Sequence, residues 1–145
     1  MRVASTRETM SLVRDGMLSD PIALPATASA QEAAEHLVRP DVRAVLVVDE
    51  AGTLVGVVTP DALVEHVVAE GLDPRTTPVS QAAAPPALTL DADMPLDDGY
   101  RLLEEAEVER APVIEQGRLV GVLSRSVVQR RLAEDEPPAD EQGQD

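Results

Sequence analysis

The sequence predicts an α/β fold built from two tandem β-α-β-β-α repeats. Three observations carry that reading. The chain resembles itself at a fixed offset, each copy presents the same order of apolar stretches, and both copies are dominated by Val, Leu and Ala. A displacement of 66 positions pairs Val13 with Val79, Ile22 with Leu88, Leu24 with Leu90, Leu37 with Leu103 and Asp49 with Glu115. Beyond the turn the displacement falls to 65, pairing Gly52 with Gly117, Gly56 with Gly121 and Thr59 with Ser124. One residue has been lost inside a turn, where changes of length are tolerated. Fixed self-similarity over tens of residues marks an internal duplication.

The elements follow in order. Ser5-Thr-Arg-Glu8 has capping-box spacing, so residues 1–12 are read as a leading helix. The first repeat spans 13–71. Ile22-Ala-Leu24 is its first strand, and Ser29 is the candidate N-cap of the helix after it. Ala30, Ala33, Ala34 and Leu37 recur at helical spacing. Val45 to Val48, the turn Asp49-Glu-Ala-Gly52 and Thr53 to Val58 read as a hairpin of buried strands. A closing helix starts at Thr59-Pro60. Residues 72–78, with Pro74 and Pro78, form the linker. The second repeat, 79–132, repeats the plan. Leu88-Thr-Leu90 is its first strand, Asp93 and Pro95 mark a helix start, and Leu96, Gly99, Tyr100 and Leu103 form the helical stripe. Residues 133–145 hold 6 of the 27 acids and no large apolar residue, and are expected to be a disordered acidic tail.

Composition limits the partners. Among 145 residues there is no Lys, Cys, Phe or Trp, and Tyr100 is the sole aromatic residue. Twelve arginines face 27 acids, for a net charge of -15. Such a charge repels nucleic-acid phosphates and anionic lipid, so neither nucleic acid nor membrane is an expected partner. Absence of Cys excludes disulfides, thiolate nucleophiles and thiolate metal sites. No signal peptide or membrane-length apolar run is visible, and a cytoplasmic location is expected. His36 and His66 lie on different elements with no clustered carboxylates, so neither metal nor catalytic residues are assigned.

Several motifs then point to a family. Val13-Arg-Asp-Gly-Met17 with Asp20-Pro-Ile22, Arg110-Ala-Pro-Val113, Gly52-Thr-Leu-Val-Gly56 and the hydroxyl residue ending each third strand recur in order. Together they resemble the cystathionine-β-synthase (CBS) domain, a unit of about 60 residues that occurs in tandem pairs called Bateman modules. The resemblance implies two repeats packed about a pseudo-two-fold axis as one non-catalytic regulatory module. It also implies clefts that take AMP, ADP, ATP or S-adenosylmethionine as a regulatory ligand, with no required cofactor. A homodimer and a regulated partner protein reached in trans are implied as well.

Residue by residue, the resemblance assigns the candidate ligand-binding set Thr59, Asp61, Arg110, Pro112, Ser124 and Arg125. Thr59 and Ser124 are candidates for ribose or phosphate contact at a helix start; as N-caps they need no ligand. Arg110 and Arg125 suit a phosphate clamp in the second copy, or ordinary surface ion pairs. The family's ribose-binding carboxylate lies three residues beyond the hydroxyl. Here Asp61 falls one position early, rotated by about 100° on a helix, and the second copy has no acid. Ala44 and Leu46 stand where the second copy has Arg110 and Pro112. Gly56 and Gly121, inside strands, allow close approach by a ligand or by neighbouring backbone. The alternative is a ligand-free dimerisation or protein-interaction module with degenerate nucleotide sites.

Overall fold

Valine-rich strands flanked by turn residues produce two near-identical sheets. In the computed structural model, which describes residues 11–19 and 21–135, the first repeat comprises helical turn α1 (Val13–Gly16), β1 (Ala23–Pro25), α2 (Ala30–Leu37), β2 (Val45–Val48), β3 (Leu54–Val58) and α3 (Pro60–Leu63), which continues as a π-helical turn over Val64–Val68. The second comprises a 3₁₀ turn (Val79–Ala82), β4 (Leu90–Asp91), α4 (Leu96–Ala106), β5 (Arg110–Glu115), β6 (Arg118–Ser124) and α5 (Arg125–Asp135). Each sheet has a parallel edge strand, a central strand and an antiparallel partner, in the order β1-β2-β3 and β4-β5-β6. Pro25 is tolerated because β1 is an edge strand.

The caps differ between copies. Ser29 Oγ accepts from Glu32 N at 3.1 Å while Ser29 N donates to Glu32 Oε1, a complete capping box for α2. Pro95, preceding α4, supplies no side-chain cap. There Leu96 N donates to Ser11 O at 2.7 Å, and in the first copy Ala30 N donates to Thr77 O at 2.8 Å. Backbone just ahead of each repeat therefore satisfies the helix start of the other.

This exchange is reciprocal throughout. Val13 N donates to Met94 O and Val79 N to Ala28 O. Leu18 pairs with Val122 and Ala84 with Val57, each through two backbone hydrogen bonds. These partners coincide under the sequence offsets, which gives the pseudo-two-fold relation between the copies. Val13 is fully buried in the core of the second repeat, with Leu90, Leu103 and Leu123. Val79 and Ala82 are buried in the core of the first, with Val45, Val47 and Val58. One contact is not duplicated: the Arg14 guanidinium donates to Glu115 at 2.6 Å and Asp93 at 2.5 Å. Those two carboxylates, Glu115 first, hold its pKa above the usual arginine value.

The glycines explain themselves here. A Cβ on Gly121 would lie 2.6 Å from Leu18 O, and one on Gly56 would lie 2.9 Å from Ala84 O. Neighbouring backbone occupies the space, as the packing alternative required. At the chain ends, residues 1–10 of the expected leading helix lie outside the described residues, and Ser11 and Leu12 are not helical. The acidic tail was placed from residue 133, yet α5 runs to Asp135; residues 136–145 lie outside the described set. Glu134 and Asp135, near a helix C-terminus, did not suffice to end it.

Candidate functional site

Between the two repeats, short aliphatic side chains from both copies line a cavity of about 490 Å³. That volume falls within the roughly 300–1,000 Å³ of small-molecule sites. Much of its wall is duplicated: Ile22 with Leu88, Leu46 with Pro112, and Val57 with Val122 line it from the two copies. Ala84 to Leu88, the irregular segment leading into β4, forms another side. No aromatic residue is among the lining residues. Tyr100 lies on α4 against the second core, where its hydroxyl accepts from Gln129 Nε2 at 2.8 Å.

The polar groups break the symmetry. Asp41, Arg43, Thr59 and Ala62 of the first copy line the cavity, whereas their counterparts Glu107, Glu109, Ser124 and Val127 do not. A recess of about 450 Å³ adjoins it through Val42, Arg43 and Thr59, and extends over Arg39, Pro60 and Asp61. Charged residues on the main cavity are thus Arg43, Arg110 and Asp41. Asp41 is engaged by Arg39 at 3.6 Å. Arg43 has no ion pair within 4.0 Å among the described residues. In a chain of net charge -15, a cavity with two arginines is a local reversal of sign.

Of the six candidates, Thr59, Arg110 and Pro112 line the cavity. Thr59, half-buried, follows β3 and caps α3, its Oγ1 accepting from Ala62 N at 3.2 Å. Pro112 is buried in β5, and Arg110 stands exposed at the start of that strand. Asp61 lines the side recess only, in keeping with its early position. Ser124 and Arg125 line neither space. Ser124 is buried; its Oγ accepts from Val127 N at 3.1 Å and lies 3.1 Å from Ser126 Oγ.

The start of α5 is occupied by the protein itself. Arg125 N donates to Glu109 O at 2.8 Å, and Ser126 N donates to Glu109 Oε2 at 3.2 Å. Desolvation pushes the Glu109 carboxyl up, but hydrogen bonds from Ser126 and the nearby Arg110 and Arg125 outweigh it. The net shift is below the ordinary value of 4.5. Sequence reasoning missed Arg43 and Asp41. The available signal was the charge reversal between Arg43 and its counterpart Glu109 in the duplicate.

A family model for the CBS domain matches residues 12–69 and 79–134. Over 108 residues the chain is 32% identical to hypoxic response protein 1 of Mycobacterium tuberculosis, covering 74% of this chain and 73% of that protein. The crystal structure of hypoxic response protein I with two coordinated zinc ions is similar at a TM-score of 0.67 and 26% identity, covering 84% of this chain and 99% of that one. The crystal structure of CBSX2 in complex with AMP is similar at a TM-score of 0.68 and 28% identity, covering 86% and 98%. Among the described residues no group of three or more His, Cys, Asp or Glu is arranged to hold a metal. No helix among them is long and apolar enough to cross a membrane.

Proposed function

The chain belongs to the CBS-domain family as a tandem pair, and from that premise we propose that it is a non-catalytic regulatory module binding an adenosyl ligand in the inter-repeat cavity. The observation that carries this is the placing of Arg43 and Arg110 on an aliphatic cavity of nucleotide size in a strongly acidic chain. The arginines favour AMP, ADP or ATP over S-adenosylmethionine, since guanidinium groups match phosphate oxygens. The base lies between aliphatic side chains such as Ile22, Leu46 and Leu88, and Thr59 offers a hydroxyl at the phosphate or ribose end. A ligand touching both repeats favours one arrangement of them, and a homodimer or a partner protein reads that shift.

Thermal unfolding with AMP, ADP, ATP and S-adenosylmethionine tests the reading. A ligand at one hundred times its Kd adds about 2.7 kcal/mol and raises the midpoint by several degrees. Arg110→Ala should weaken the best ligand about tenfold, the size expected for one charge-assisted hydrogen bond. No shift with any compound overturns the proposal. The second reading, a ligand-free interaction module, draws on Val38, Val64 and Val68, which are 78%, 58% and 67% exposed. It is favoured if no compound binds and sedimentation shows a stable dimer.

A further inference from the structure

Each sheet is apolar on both faces, but a core covers only one of them. In the first repeat Val45, Val47 and Val58 belong to the core, while Leu46 and its cross-strand partner Val57 line the cavity. In the second, Ala111, Val113 and Leu123 belong to the core, while Pro112 and its partner Val122 line the cavity. Successive strand residues point to opposite faces, so the second apolar face of each sheet is turned to the cavity. Val57 and Val122 are left half-buried there, as are Ile22 and Leu88. Apart from Asp41, Arg43, Thr59 and Arg110, every lining residue is Ala, Val, Leu, Ile or Pro. Asp41 is engaged by Arg39, and the Thr59 hydroxyl caps α3. Arg43 and Arg110 are exposed, and neither has an ion pair within 4.0 Å among the described residues.

We propose that the cavity also binds a medium-chain aliphatic carboxylate, its hydrocarbon body against Leu46, Val57, Pro112 and Val122 and its carboxylate on Arg43 and Arg110. This ligand class does not depend on the nucleotide reading and competes with a nucleotide for the same space. A saturated chain asks of this wall what it offers, which is apolar area without aromatic rings, and its burial removes half-exposed valine and leucine surface from water. A guanidinium matches a carboxylate in planar, two-point geometry. The rest of the molecule works against an anion, since its net charge is -15. Selection of a carboxylate over a cation of the same chain length therefore has to come from the two arginines on the wall.

Calorimetric titration of the full chain with monomeric hexanoate, octanoate and decanoate tests this, with octylammonium as the control head group. Octanoate should bind saturably, and affinity along the series should rise about fourfold per added methylene until the cavity is filled. Octanoate should bind about tenfold more tightly than octylammonium, and Arg43→Gln combined with Arg110→Gln should erase that preference. Val57→Phe, which takes up cavity space, should weaken decanoate about tenfold. Circular dichroism confirms that each variant is folded; if Val57→Phe is not, Ala44→Leu on the same wall decides. Absence of saturable octanoate binding overturns the inference, as does equal or tighter binding of octylammonium. Unchanged head-group preference in the folded double arginine variant overturns it too, and so does unchanged decanoate affinity in the folded cavity-filling variant. AMP binding without octanoate binding overturns this inference alone. Octanoate binding without binding of any nucleotide or S-adenosylmethionine supports it and overturns the adenosyl reading alone.

Discussion

At the scale of single residues, glycine was the most informative signal and charge the least. Gly56 and Gly121 interrupt valine-rich strands at equivalent positions, and that alone indicates a close approach. Its partner is visible only in the fold, where Leu18 O and Met17 Sδ both lie 2.6 Å from the position of a Gly121 Cβ. Gly121→Ala must displace the Leu18 backbone, which is hydrogen-bonded in both directions to Val122. It should destabilise the protein by about 1–3 kcal/mol, the range for overpacking at a site that cannot relax. Denaturant titration checks this; a loss below a few tenths of a kcal/mol would mean that the Leu18 segment yields freely. Arg43, by contrast, looked like any other surface arginine. Its meaning came from the neighbours that folding provides, a cavity wall beside it and no ion-pair partner within 4.0 Å among the described residues.

Elements were legible where local chemistry decides them. The hairpin Val45–Val58 and the Ser29 N-cap need only their own residues, and both form where the pattern puts them. Edge strands were read one residue or more off: Ile22–Leu24 was expected and Ala23–Pro25 observed. The register there is set by the central strand, through Ala23 opposite Leu46, and not by local preference. The start of α5 was harder still, because its anchor is the distant Glu109. That anchor should titrate. Its folded pKa lies below 4.5, so its stabilising effect is complete above that value and vanishes as pH falls through the folded-state pKa. Urea midpoints measured from about pH 6 to pH 3 should therefore fall more steeply for wild type than for Glu109→Gln. Parallel curves would show that Glu109 does not hold the helix start.

At the scale of the molecule, duplication predicts two copies but not that they trade parts. The sequence places Val13 at the head of the first repeat and Val79 at the head of the second, so each reads as part of its own copy. Folding sends Val13 into the second core and Val79 into the first. The physical reason is chain geometry. A helical turn ahead of an edge strand has no sheet face of its own to cover, while the other repeat's helix start needs backbone acceptors that this segment carries at Ser11 and Thr77. The candidate site inherits this arrangement, since Leu18 and Ala84, just beyond the exchanged turns, line the cavity. Neither repeat should then be stable without the other. Val13→Ala and Val79→Ala each remove about two buried methyl groups and should each cost about 2 kcal/mol. Both variants should still unfold in one cooperative transition, because each core contains a piece of the opposite copy. Native-state amide exchange gives the sharper reading: Val13→Ala should first lower protection in β5 and β6, and Val79→Ala in β2 and β3. Two separate transitions, or protection lost first in the mutated segment's own repeat, would show that the exchanged turns are accessories and that the copies fold independently.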